Sequence, residues 1–245
     1  MIREQSLLRT FILVTTLGLI ISSCSDSGTG AEENELTTDQ RIAIDYFKEI
    51  ALGFEFGNAS DVTRKWNRDV RIYKGGIESE MLDNELDEVI SDLNELISRD
   101  GVELSLTSDS TQANVYLFLG PGRQFGELYP PAANFTDSNF GLFFVRFNAS
   151  NFLTDAWIYV DTERPAEKNQ RHLLREELTQ ALGMAQDSPR FGDSIFQISY
   201  STSVTEYSKY DEAVIQLLYH PEIRTGLFAS EVEPFLVNIV DEVIQ

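Results

Sequence analysis

RHLLREELTQALGMAQD, residues 171–187, is the stretch from which the rest of the chain is read. At about 100° per residue, Leu174, Leu178, Ala181 and Leu182 fall on one sector, which predicts a helix from about residue 169 to Gly183 with an apolar face toward a core. His172, Glu176, Thr179 and Gln180 fall roughly opposite. Glu177 lies between Leu173 and Ala181, at the edge of the apolar sector. Polar side chains one turn apart, with a carboxylate at the sector boundary, suit a cleft in which a shielded carboxylate acts as general base. The same pattern is also what a helix shows when its carboxylates are simply solvated, and the spacing leaves both readings open.

Working outward, the residues before this helix alternate in type. Asp39 is read as the N-cap of a first helix carrying Ile42, Ile44, Phe47, Ile50 and Ala51. Strands are expected at Val70–Tyr73, stopped by Gly75-Gly76, and at Val102–Leu106, Val115–Leu119, Phe143–Phe147 and Ala156–Val160. Between the first two, residues 78–98 place Met81, Leu82, Leu86, Val89, Ile90, Leu93, Leu96 and Ile97 at helical spacing. Gly120–Asn139 is rich in Gly, Pro and Asn and reads as a surface loop. Two more helices are expected beyond the quoted stretch, at about Tyr210–Tyr219, ended by Pro221, and at about Glu231–Val243. The order predicts an α+β fold, a mixed sheet covered by a long helix, with a site helix and a C-terminal helical part.

Composition limits the partners. There are 19 Lys and Arg against 40 Asp and Glu, a net charge of −21, which repels phosphate backbones and excludes a nucleic-acid binder. No P-loop, dinucleotide fingerprint or Ser-His-Asp arrangement is present. The single cysteine, Cys24, excludes an intrachain disulfide or a multi-cysteine metal site. Its position is informative: Arg3 and Arg9 precede an apolar run at Phe11–Ile21, too short to span a bilayer, and Ile21-Ser22-Ser23-Cys24 follows. This resembles the bacterial lipobox and implies cleavage before Cys24 and acylation of its sulfur. Residues 1–23 are then a lipoprotein signal peptide, 24–38 a flexible tether and 39–245 one domain. Ser25 after the cysteine implies an extracytoplasmic, outer-membrane location. The expected partners are the lipid bilayer, through acylated Cys24, and an envelope protein or peptide.

The segment RHLLREELTQALGMAQDSPRFGDSIF together with YDEAVIQLLYHPEIRTGL resembles the active-site half of matrixin-type (metzincin) zinc peptidases, which implies a zincin-like fold. On that alignment the first metal histidine falls on Glu176, the catalytic glutamate on Glu177 and the second histidine on Gln180. The helix-ending glycine falls on Gly183, the third histidine on Gln186 and the methionine of the turn on Phe196, with Tyr219 closing the matching Gln-Leu-Leu-Tyr helix. A glutamine amide is a poor zinc ligand, so zinc or another divalent metal is disfavoured as a cofactor, His172 with Glu176 being the pair left to hold one. Asp187 and Asp193 flank a loop that matches no dedicated calcium spacing. The resemblance is closer to the bacterial family known as domain of unknown function 2927, whose members are largely predicted lipoproteins. Together the features predict a degenerate zincin-like lipoprotein that binds rather than cleaves, the alternative being an unconventional metal-dependent hydrolase with Glu177 as its general base.

Overall fold

The computed structural model describes residues 35–55, 57–198 and 204–245, so the signal peptide, Cys24 and most of the expected tether lie outside the described residues. The tether ends earlier than expected. Thr37 caps helix α1 (Thr38–Ile50), accepting from the Gln40 N–H while the Gln40 side chain accepts from the Thr37 N–H, a reciprocal capping box. Leu36 already packs on the core. Asp39, expected to be the cap, instead accepts from Lys209 and Tyr210 at 2.7 and 2.8 Å and ties α1 to the C-terminal helices.

The chain continues through β1 (Val70–Gly76), α2 (Glu80–Ile97), β2 (Leu104–Leu106), β3 (Val115–Leu119), α3 (Gly122–Leu128), β4 (Gly141–Phe147), β5 (Leu153–Val160), α4 (Glu167–Gln180), α5 (Lys209–Leu218) and α6 (Ala229–Ile239). The five strands form one mixed sheet in the order β2-β1-β3-β5-β4. β4 alone is antiparallel, paired with β5 at the sheet edge. A parallel pair needs a crossover, and α2 supplies it between β1 and β2. Leu82, Leu86, Val89, Leu93 and Ile97 of α2 are all buried, the stripe anticipated from their spacing. Burying each such side chain contributes about 1.5–3 kcal/mol.

Successive side chains of a strand point to opposite faces, and here both faces are covered. Val115, Leu117, Leu119, Ile158 and Val160 join the main core, while Phe118, Leu142 and Tyr159 pack with Phe125 and Ala132 on the other side. The Gly120–Asn139 stretch is therefore not a bare surface loop. It folds into α3 and a 3-10 turn at Pro130–Ala132, and Phe125 and Ala132 are fully buried. Gly75 and Gly76 do not stop β1 but extend it beside Phe118 and Leu119. A Cβ on Gly76 would stand 1.9 Å from the Leu119 carbonyl oxygen, so only glycine lets the backbones approach there.

α4 packs on α2, β4 and β5, and α1 packs on α5 and α6. Among the described residues no helix is long and apolar enough to cross a membrane.

Candidate functional site

The site is built on α4, whose residues from His172 onward are all buried, as is the turn that follows it as far as Ala185. Its start is held by a polar knot. Both Glu163 and Arg164 donate backbone N–H bonds to Asp161, whose carboxylate also pairs with the Arg164 guanidinium. Burial works against the Asp161 charge, yet these donors keep its pKa below the ordinary value. Arg164 then donates to the carbonyls of Thr136 and Asn139 at 2.7 and 2.8 Å, which fixes the entry to β4 above the helix.

Arg171 and Arg175 both donate to Glu85 of α2, at 2.5 and 3.1 Å, and Arg175 also to Asp92 at 2.6 Å. The far end is secured by aromatic groups. Trp66 Nε1 donates to the Ala181 carbonyl at 3.0 Å and the Tyr219 hydroxyl to that of Leu182 at 2.9 Å, satisfying acceptors a helix end leaves open. Tyr219 is thus a structural clamp, and its burial pushes the phenol pKa far up. Gly183 follows with φ +116°, and a Cβ there would meet the Arg64 carbonyl oxygen at 2.1 Å. Phe196 is fully buried in the core. Its turn is held where Ser194 donates to Asp211 at 2.6 Å and accepts the Phe196 N–H at 2.9 Å.

Between α4 and the β4 edge lies a cavity of about 70 Å³ lined by Glu55, His172, Glu176, Glu177, Gln180 and Asp187, with apolar walls from Phe140, Phe143 and Leu173. The reading of Glu176 and Glu177 as solvated helix carboxylates is overturned: they are 8% and 6% exposed, because β4 lies against that side of the helix, with Gly141 beside Glu177. Thr179, expected on the same face, instead bonds the Arg175 carbonyl and the Tyr207 hydroxyl.

His172 Nδ1 lies 2.7 Å from the Val204 carbonyl oxygen, which only accepts, so Nδ1 carries hydrogen; Nε2 faces Glu176 Oε2 at 3.3 Å. That contact holds one shared proton, on the imidazole or on the carboxyl. Burial opposes the imidazolium, but the Glu176 carboxyl outweighs it and raises the His172 pKa. Burial raises Glu176, with His172 counteracting. Glu177 is driven well above its ordinary value by burial and by Glu176, Asp187 and Glu55. Asp187 is pushed up to about 8 by burial, Glu176 and Glu55, against the Gln180 N–H that bonds it at 2.6 Å. Glu55, exposed at the mouth of the cleft, is raised by its partial desolvation and by Glu176. Of these groups Asp187, at about 8, holds its proton at neutral pH.

Of the positions singled out from the sequence, His172, Glu176, Glu177, Gln180 and Asp187 converge. Gln186 does not: its amide donates to the Leu52 carbonyl at 3.3 Å, and it is the next residue, Asp187, that enters the cleft. Asp193 is exposed and lines no part of it. Sequence reasoning misses Glu55. It reaches the cleft from the loop after α1, where its N–H bonds the Ala185 carbonyl at 3.0 Å, and nothing in its local sequence signals this.

The donors do not fit a tri-histidine zinc centre. Two of the three aligned positions are amides, one turned away, and among the described residues no group of three or more His, Cys, Asp or Glu is disposed to hold a metal ion.

Fold and site together define an α+β protein with a carboxyl-lined cleft between a buried helix and an antiparallel edge strand. Residues 40–238 match the family described as Protein of unknown function (DUF2927), and the chain belongs to that family. No curated protein matches the sequence.

Proposed function

We propose that this is a lipid-anchored, extracytoplasmic binding protein: a zincin-like domain that holds a ligand in the α4 cleft without cleaving it, tethered to the outer membrane through acylated Cys24. One observation carries the reading. The side chains where a zinc peptidase would grip its ion are committed to each other, His172 to Glu176 and Gln180 to Asp187, while Gln186 bonds the Leu52 carbonyl. The edge strand over a helix that ends at a positive-φ glycine supports the zincin-like assignment.

Glu177 occupies the position of a hydrolase's general base, and its lack of a hydrogen-bond partner among the described residues favours that second reading. A base, however, must be deprotonated at working pH, and burial with three neighbouring carboxyls raises the Glu177 pKa well above its ordinary value, against that role.

The test is elemental analysis of protein purified without added metal, beside assays against peptide libraries. Substoichiometric zinc and no cleavage are expected. One zinc per chain with chelator-sensitive cleavage that Glu177→Gln abolishes would replace this reading with the hydrolase. For the anchor, Cys24→Ser is expected to abolish labelling by palmitate and to release the protein from the membrane fraction; unchanged labelling refutes it.

A further inference from the structure

We propose that the α4 cleft receives a cationic organic head group, an ammonium or guanidinium on an aliphatic stem. The inference rests on the binding reading above and names its ligand class.

The carboxyls of Glu55, Glu177 and Asp187 line one small cavity, and among the described residues no lysine or arginine pairs with any of them. Elsewhere buried acids are satisfied by fixed donors: Glu85, wholly buried, meets two guanidinium groups, and Asp211 accepts from Ser194, Ile195 and Ser208. In the cleft Glu177 has no such donor, and the one basic group lining it among the described residues, His172, is engaged by Glu176 and the Val204 carbonyl. Glu177 is decisive. It is 6% exposed, it lines the cavity, and its carboxyl accepts no hydrogen bond among the described residues. Its oxygens are not sealed in the core but open to the cavity, so a ligand entering there meets acceptors that no protein donor occupies. Gln180 adds a second acceptor, because its amide nitrogen serves Asp187 and leaves its oxygen free among the described residues.

Shape points the same way. Glu177 Oε1 lies where a Cβ on Gly141 would come within 2.3 Å, so the carboxyl is seated against the β4 backbone only because that residue is glycine. A cavity of about 70 Å³ holds about five water-sized atoms, enough for a head group and too little for a peptide segment. Phe140, Phe143 and Leu173 wall it and suit the methylenes of a stem. Among the described residues no group of three or more His, Cys, Asp or Glu is placed to hold an inorganic ion, and the net charge of −21 draws cations toward the protein at long range.

A cation entering the cleft favours ionised carboxyls, so binding expels a proton to the buffer. The groups facing the site are Glu55 from the loop after α1, His172, Glu176 and Glu177 from α4, and Asp187 from the turn beyond it.

The experiment is calorimetric titration of the full chain with Nα-acetyl-lysine amide, Nα-acetyl-arginine amide, cadaverine and the uncharged Nα-acetyl-norleucine amide, in buffers of different ionisation enthalpy. At least one cation is expected to saturate with proton release and to bind about tenfold or more tighter than norleucine amide, and Glu177→Gln is expected to weaken it by about tenfold or more. Preference for the two amino-acid amides identifies a peptide side chain as the source, and preference for cadaverine a free amine. Glu177→Gln is isosteric and removes the carboxyl that an entering cation would ionise; Asp187→Asn provides a second folded variant with the same expected loss, and exposed Asp193→Asn controls for general charge. Absence of saturation by all three cations, binding unaltered in both cleft variants, or one calcium or zinc ion blocking the site overturns the proposal. Stoichiometric zinc with cleavage defeats the binding reading as well. Metal-free protein that ignores all three cations defeats only this inference.

Discussion

Replacing Asp187 by asparagine is expected to stabilise the protein increasingly as pH rises from about 4 to about 8. The amide oxygen of an asparagine side chain can still accept the Gln180 N–H that now reaches Asp187 Oδ1 at 2.6 Å, so the substitution removes a charge and little else. The Asp187 pKa rises from 3.8 to about 8 on folding. Below the lower value both folded and unfolded chains hold the proton and the carboxyl has no effect on stability. Between the two, the unfolded chain has released a proton that the folded chain keeps, so stability falls as pH rises. Above about 8 the deficit is complete. At 1.36 kcal/mol per pKa unit the full deficit is about 6 kcal/mol. Asp187 keeps some contact with solvent, which screens this to about 2–3 kcal/mol, or some 5–10 °C in Tm for a chain of this size. Thermal or urea melts of both proteins from about pH 4 to 8.5 measure it. The curves are expected to coincide near pH 4 and to diverge steadily to about pH 8. A gap that does not change with pH, or an asparagine variant less stable at the alkaline end, would refute the electrostatic account of the cleft.

Two further changes probe the frame around the cleft. Glu85→Gln leaves the buried Arg175 guanidinium with Asp92 alone and is expected to cost about 3–5 kcal/mol in denaturant melts; a loss below about 1 kcal/mol would mean that the α2–α4 ion network is incidental. Gly183→Ala forces a Cβ toward the Arg64 carbonyl at 2.1 Å from a φ of +116° and is expected to cost about 3 kcal/mol or more, with wild-type stability contradicting the close approach.

Much of the architecture is readable because its signals are local. β3 is anticipated at Val115–Leu119, where it lies, and α2 shows its stripe because a crossover helix buries one face and solvates the other. The Gly120–Asn139 stretch misleads because glycine, proline and asparagine obscure two apolar contacts, Phe125 and Ala132, that matter only against Phe118 and Tyr159 on the sheet. In the site, helical phase correctly groups His172, Glu176 and Gln180, which follow one another a turn apart. It does not foresee that β4 packs over them, nor that the Val204 carbonyl meets His172, so that acids expected in solvent are buried. Beyond the helix, periodicity ends: after Gly183 the chain turns in a positive-φ conformation, and the cleft receives Asp187 where the alignment anticipates Gln186.

By itself, then, the sequence determined the α+β class, the apolar stripes of α2 and α4, the row of polar groups on the site helix and the surplus of negative charge, since each follows from residue type and spacing along one element. Only the tertiary structure decided that four carboxyls from three separate segments share a cavity, and that Glu177 stands there without a partner among the described residues. Proton affinity and ligand preference depend on distances across space and on exclusion of water, and the linear order of Glu55, Glu177 and Asp187 contains neither.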